Sequence, residues 1–154
     1  MAQEIERKFL TRNNSWKQGL KGQLFRQGYL SSVKERTVRV RLVEDKGWLT
    51  IKGLTKGISR QEYEYPIPAD DATELLENLC ERPLIEKTRY LLEEQGFRWE
   101  IDEFHGENAG LVVAEIELQN ENQDFPRPDW LGEEVSDDPR YFNANLIRHP
   151  FSQW

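Results

Sequence analysis

Acidic and basic residues recur in this chain at intervals of two, and that spacing is where its chemistry lies. The first instance is Glu4-Ile5-Glu6-Arg7-Lys8-Phe9. Alternate side chains of an extended strand point the same way, so Glu4, Glu6 and Lys8 share one face and Ile5 and Phe9 the other. Two carboxylates and an ammonium on one face are the ingredients of a site for a metal ion and its anion. The spacing returns in Arg39-x-Arg41, Glu62-x-Glu64, Lys87-x-Arg89, Glu100-x-Asp102 and Glu115-x-Glu117. The opposite faces are mostly apolar: Val38, Val40 and Leu42; Tyr63 and Tyr65; Thr88 and Tyr90; Trp99 and Ile101; Ala114 and Ile116. Thr50 and Lys52 likewise oppose Leu49 and Ile51.

Like charges two residues apart on one face repel unless opposite charges stand nearby. Cross-strand ion pairs on a solvated surface would relieve the repulsion. So would an inward-facing polar lumen, with the apolar faces turned outward and covered. A single such strand fits the solvated surface, whereas many strands built alike favour the lumen. Inside a lumen, clustered carboxylates suit a hard divalent cation, Mg²⁺ or Mn²⁺. Arginines and lysines opposite suit phosphate oxygens, Arg bidentately and Lys as a point charge. The combination fits a metal-coordinated polyphosphate, whose transfer needs mainly positioning and charge neutralisation. A second metal ion would serve to activate the attacking water. The sequence carries no P-loop, dinucleotide glycine fingerprint or kinase signature. His105 and His149 lack zinc-ligand spacing and are read as non-catalytic.

The elements that must position these residues are legible from period and punctuation. Period-two alternation marks strands over Gln23–Leu30, Thr37–Glu44, Trp48–Lys52, Ser59–Ile67, Leu84–Leu92, Phe97–Phe104 and Leu111–Leu118, after the opening strand. Asp45-Lys46-Gly47 and Gln95-Gly96 read as hairpin turns. Pro66 and Pro68 are expected to end the fifth strand. Leu75, Leu76 and Leu79 at helical spacing predict a helix over Asp70–Glu81, capped by Asp70 or Asp71, with Cys80 in its apolar stripe. Asn13 to Gly22 reads as a loop or short helix, the stretch around Pro126, Pro128 and Gly132 as turns, and Arg140–Ile147 as a last short helix. The expectation is a mostly β (α+β) fold, with about eight antiparallel strands closed into a tunnel-like barrel and a few outer helices.

Length and composition agree with that reading. A chain of 154 residues forms one domain, here residues 1–154, with a sizeable core. Charged residues reach 32%, but five tryptophans, five tyrosines and seven phenylalanines supply large apolar surface. The net charge of −7 argues against nonspecific nucleic-acid binding while leaving room for a small anion held by local basic groups. One cysteine permits no intrachain disulfide. No signal-peptide pattern and no apolar run of membrane-span length is present, so a cytoplasmic protein without membrane association is expected. Two or three short helices are too few to cover every apolar face, which leaves room for a homodimer contact.

In this order, Glu4-x-Glu6-x-Lys8, Arg39-x-Arg41, Lys52, Glu62-x-Glu64, Lys87-x-Arg89 and Glu115-x-Glu117 resemble the CYTH superfamily, the triphosphate tunnel metalloenzymes. The resemblance runs from about residue 3 to 118. It implies a tunnel of eight antiparallel strands and metal-dependent hydrolysis or cyclisation of a triphosphate. Carried over, it assigns the triphosphate to Lys8, Arg39, Arg41, Lys52, Lys87 and Arg89. It assigns the first metal ion to Glu4, Glu6, Glu115 and Glu117. Glu62, Glu64 and Asp102 would help a second metal ion or balance the basic residues. Lys87 is the choice for protonating or stabilising the leaving phosphate. Tyr29, within Gln27-Gly28-Tyr29-Leu30, resembles a tunnel-facing tyrosine of the short bacterial members and is expected to act with it.

The segments Ser59-Arg60-Gln61-Glu62-Tyr63-Glu64 and Glu86-Lys87-Thr88-Arg89-Tyr90 look most like the inorganic triphosphatases. The expected reaction is tripolyphosphate to pyrophosphate and phosphate with Mg²⁺ or Mn²⁺. The alternatives are a class IV-type adenylate cyclase, whose early His-Phe motif is absent here, and a thiamine triphosphatase. An alternative of another class is a polyphosphate-binding module without turnover.

Overall fold

Alternation of charged and apolar residues closes this chain on itself. The computed structural model describes residues 3–154. Among the described residues nine strands are present: β1 (Gln3–Thr11), β2 (Gln23–Ser31), β3 (Arg36–Val43), β4 (Lys46–Gly53), β5 (Ser59–Ile67), β6 (Ile85–Glu94), β7 (Phe97–Phe104), β8 (Val112–Glu117) and β9 (Leu131–Glu134). Helix α1 (Ala69–Asn78) follows β5, and a four-residue helix α2 (Asn143–Leu146) lies in the tail. The strands follow the order β5-β4-β3-β2-β6-β7-β8-β1-β9, and β1 also pairs with β5. That last pairing closes an antiparallel barrel of eight strands, with β9 as an addition.

β1 is the seam. One edge pairs with β8 from Glu6↔Glu117 to Leu10↔Val113. The other edge is shared: Gln3–Ile5 pair with β5, and Phe9 and Thr11 pair with β9.

The outward faces are apolar and most are covered. Phe9, Trp99, Ile101, Ala114 and Ile116 pack under Trp16, Leu118 and Trp130 from the flanking loops. Trp99 meets Phe9, Phe125 and Trp130 edge-on at centroid separations of 5.9, 5.8 and 5.1 Å, a geometry the ring quadrupoles favour. α1 covers the other side, where Ala72, Leu76 and Cys80 pack against Val40. Ile51, Tyr63 and Tyr65 on the β4–β5 face stay exposed. At one end of the barrel the inward positions themselves turn apolar. Tyr29, Ile85, Phe104 and Val113 cluster there with Val135, Tyr141, Leu146 and Ile147, so the tail closes that end.

Several boundaries differ from the sequence expectation. The β3–β4 turn is Glu44-Asp45, with Glu44 at a φ of 56°. Gly47 instead lies in β4, where a Cβ would stand 2.8 Å from that of Ala72 in α1. The β6–β7 turn is Gln95-Gly96 as expected, both at positive φ. β5 ends at Ile67 as expected, with Pro66 inside the strand opposite Trp48 and Pro68 just past its end. α1 stops at Asn78, leaving Leu79 exposed and Cys80 buried just past the helix end. Asp70 and Asp71 lie in its first turn, but neither caps it, the cap position being Pro68. β9 arises in the stretch read as turns, and the helix expected over Arg140–Ile147 is a 3-10 turn, Pro139–Tyr141, followed by α2.

Trp99→Ala should lower unfolding free energy by about 3–5 kcal/mol, the usual range for emptying a buried aromatic site. Urea denaturation followed by tryptophan fluorescence measures it. A loss under about 1 kcal/mol would mean that the edge-on cluster does not organise this face.

Candidate active site

The inward faces meet around a cavity of about 570 Å³. Of the residues singled out from sequence, Glu4, Glu6, Lys8, Tyr29, Arg39, Arg41, Lys52, Glu62, Lys87, Arg89 and Glu115 line it. Three do not. Asp102 is fully buried beneath Lys87 and Arg89. Glu64 has 43% of its side chain exposed, and Glu117 is exposed at the end of β8. The strand face was right for all three, but alternation specifies a face and not a depth along the barrel.

The charges fall into two poles. At the first, Lys52 Nζ donates to both oxygens of Glu4 at 3.0 and 3.1 Å and lies 3.3 Å from Glu62. Arg60 Nε adds a 3.3 Å bond to Glu4. Lys8 Nζ donates to Glu115 at 3.1 Å and stands 3.4 Å from Glu6. At the second, Arg89 grips Asp102 bidentately at 2.7 and 2.9 Å, and Lys87 Nζ is 2.7 Å from the same carboxylate. Arg41 Nε donates to Gln27 at 3.1 Å. The guanidinium carbons of Arg41 and Arg89 each lie 4.9 Å from the ring centroid of Phe25. Arg39 contacts Thr50 at 3.3 Å and Glu64 at 3.6 Å.

Each pole carries more like charge than its partners neutralise. Burial, and then the neighbouring Glu115, push the Glu6 carboxyl up to about 8. At the other pole, burial followed by Arg39 and Arg89 pushes Arg41 down to about 9. Burial, only partly opposed by Asp102, brings Lys87 down to about 7. The Nε–H of Arg39 is buried without a hydrogen-bond partner. One pole is therefore short of positive charge and the other short of an acceptor. An anion with a cation attached would relieve both.

The donor set fits a hard cation, because every candidate ligand is a carboxylate oxygen. Among the described residues no three such groups stand at ligand spacing, since Glu4 and Glu115 are turned onto Lys52 and Lys8. Lining residues that carry no assigned role from the sequence include Arg60, Glu100, Asn143 and Arg148. Arg60 and Glu100 share the inward faces already read from Glu62 and Asp102. Asn143 and Arg148 gave no periodic signal, because the tail reaches the cavity without being part of the barrel.

A CYTH domain model matches residues 2–150. The chain belongs to the CYTH family. It is 54% identical over 154 residues to an inorganic triphosphatase of Acetivibrio thermocellus, covering 100% of this chain and 99% of that protein. It is 38% identical over 148 residues to an inorganic triphosphatase of Nitrosomonas europaea, covering 93% and 95%. The solved structure of the inorganic triphosphatase NE1496 superposes with a TM-score of 0.68 at 35% identity, covering 93% of this chain and 96% of that one. The tunnel expected of a CYTH protein is the barrel observed, one end of it closed by the tail.

The ion pairs of this CYTH barrel make its stability depend on pH in a defined direction. Burial opposes ionisation of Asp102 and Glu4, but Arg89 and Lys87, and Lys52 and Arg60, outweigh it and hold both carboxyls at about 2. Their ordinary values are 3.8 and 4.5. A depressed carboxyl stabilises above its unfolded pKa, and that stability is lost as pH falls through the folded one. Thermal midpoints should therefore fall steeply between about pH 4.5 and 2. Asp102→Asn should be less stable at pH 7 by about 3–5 kcal/mol, because Arg89 and Lys87 lose their counter-charge. Its acid limb should also be shallower. Equal midpoints for variant and wild type at pH 7 would contradict the pairing.

Proposed function

We propose that this protein hydrolyses inorganic tripolyphosphate to pyrophosphate and phosphate with a divalent cation, Mg²⁺ or Mn²⁺. The observation that carries the reading is the pair of opposed, incompletely neutralised poles in one cavity. The names of the two relatives, at 54% and 38% identity, point to the same reaction.

In this reading Lys8, Arg39, Arg41, Lys52, Lys87 and Arg89 bind the phosphate oxygens. Guanidinium forks orient them, and the unpartnered Nε–H of Arg39 is one donor in waiting. Glu4, Glu6 and Glu115, with Glu62 beside them, would hold the cation. When bound, it supplies charge neutralisation and acidifies water for attack. Asp102 serves as counter-ion, fixing Arg89 and Lys87 against the triphosphate rather than touching it. Lys87, held near 7 in the buried pole, carries a proton that it can release near neutral pH to the departing phosphate oxygen. Tyr29 lines the cavity next to the closed end and offers a hydroxyl to substrate or water.

A panel of tripolyphosphate, ATP and thiamine triphosphate with Mg²⁺ or Mn²⁺ tests the proposal. Phosphate release from tripolyphosphate is expected and should stop in EDTA. Tight binding without release under either metal would instead make the protein a binding module. Lys87→Ala should lower kcat by about 10²–10⁴-fold, the usual share of a general acid, and change KM less. An unchanged kcat would remove Lys87 from the chemistry.

Glu4→Gln keeps an oxygen for Lys52 but removes a charge from the cation pole. Half-maximal activity should then need about 10–100-fold more metal. A metal titration identical to wild type would place the cation elsewhere.

A further inference from the structure

The tail brings one uncharged polar side chain into the basic pole. Asn143, in α2, lines the cavity. Its Oδ1 accepts from Gln27 Nε2 at 3.0 Å and from Lys87 Nζ at 3.1 Å. Gln27 is itself fixed, being fully buried and accepting from Arg41 Nε through Oε1. Both lone pairs of the Asn143 oxygen are thus engaged. A flipped amide would set its NH₂ against the Lys87 ammonium, so the chemistry selects the orientation. Among the described residues, Nδ2 of Asn143 donates to no protein group, and it is not one of the sealed polar atoms without a partner. Its two N–H bonds are left for whatever enters the cavity.

We propose that Asn143 is a further substrate-binding and positioning residue: Oδ1 holds the Lys87 ammonium in place, and Nδ2 donates to a phosphate oxygen of the bound triphosphate. The inference rests on the triphosphate reading above. A neutral donor suits this place. Arg39, Arg41, Lys87 and Arg89 already crowd the pole, and a fifth cation would deepen their repulsion, whereas an amide adds donors without charge. The tail that carries Asn143 is tied down on both sides. Upstream, the Lys8 N–H donates to Ser136 Oγ at 2.9 Å and the Val135 N–H to the Lys8 carbonyl at 2.9 Å. Arg148 donates to Ser32 Oγ, and Ser32 is clamped by Glu81 through bonds of 2.9 and 2.7 Å.

Two variants separate donation to substrate from a merely structural role. Asn143→Asp keeps an oxygen for Lys87 and Gln27 but replaces the donor with an anionic oxygen. Asn143→Ala removes the donor without adding charge. The readouts are the Kd for tripolyphosphate by calorimetry in EDTA, KM and kcat with Mg²⁺, and the thermal midpoint. Asn143→Asp should retain or raise the midpoint yet weaken binding about tenfold or more, with KM moving the same way. Asn143→Ala should weaken binding about 3–10-fold, as expected for one neutral hydrogen bond, and also lower kcat as Lys87 loses its anchor. If Asn143→Asp folds and matches wild type in Kd and KM, Nδ2 does not touch substrate and the proposal fails. If Asn143→Asp does not fold, Asn143→Ala decides by the same comparison. A wild-type protein that neither binds nor hydrolyses tripolyphosphate overturns the triphosphate reading and this inference together.

Discussion

A buried charge must meet its opposite, and the rest of this barrel is arranged around that requirement. Several acidic and basic side chains point into one enclosed space, where desolvating an unpaired ion costs several kcal/mol. Most of the pairings that offset this cost run across strands distant in sequence, Glu4 with Lys52 and Arg60 and Lys8 with Glu115; Lys87 and Arg89 meet Asp102 across one hairpin. None is available to a single hairpin held alone, except the contacts of Lys87 and Arg89 with Asp102 within β6–β7. Closure and charge compensation are therefore one event, and the outward apolar faces supply the burial that drives it.

The compensation is complete around Asp102 and incomplete around the cavity. Asp102 takes two cations and sits in no contact with the cavity, whereas Glu6, Arg41 and the Nε–H of Arg39 are left with less than they need. That difference is what separates a structural ion-pair network from a binding site. The same residue types at the same spacing serve both purposes, and only depth in the barrel distinguishes them.

Depth is also where the sequence stops being legible. Alternation assigned the inward face of every barrel strand except β2, because a period of two is fixed by backbone geometry. It could not tell that Glu117 sits at an exposed strand end while Glu115, two residues earlier, is buried. β9 was hidden because four residues, Leu131–Glu134, carry too little alternation, and their pairing depends on the edge of β1 left free by β5. Asn143 was hidden for a stronger reason: its place beside Lys87 comes entirely from the tail meeting β2 and β6, and neighbouring residues give no hint of it.

The divided edge of β1 has a consequence for how the chain reaches this state. Residues 3–11 are made before all of their partners, β5, β8 and β9, the last of them at Leu131–Glu134. β1 is thus the strand that waits. Until more than a hundred residues have followed it, Glu4, Glu6 and Lys8 have no barrel to face, and loop closure over that separation must come before the contacts that reward it. Closure depends on these long-range pairings, and a nascent chain carries its wall of carboxylates and ammonium unpaired until they form.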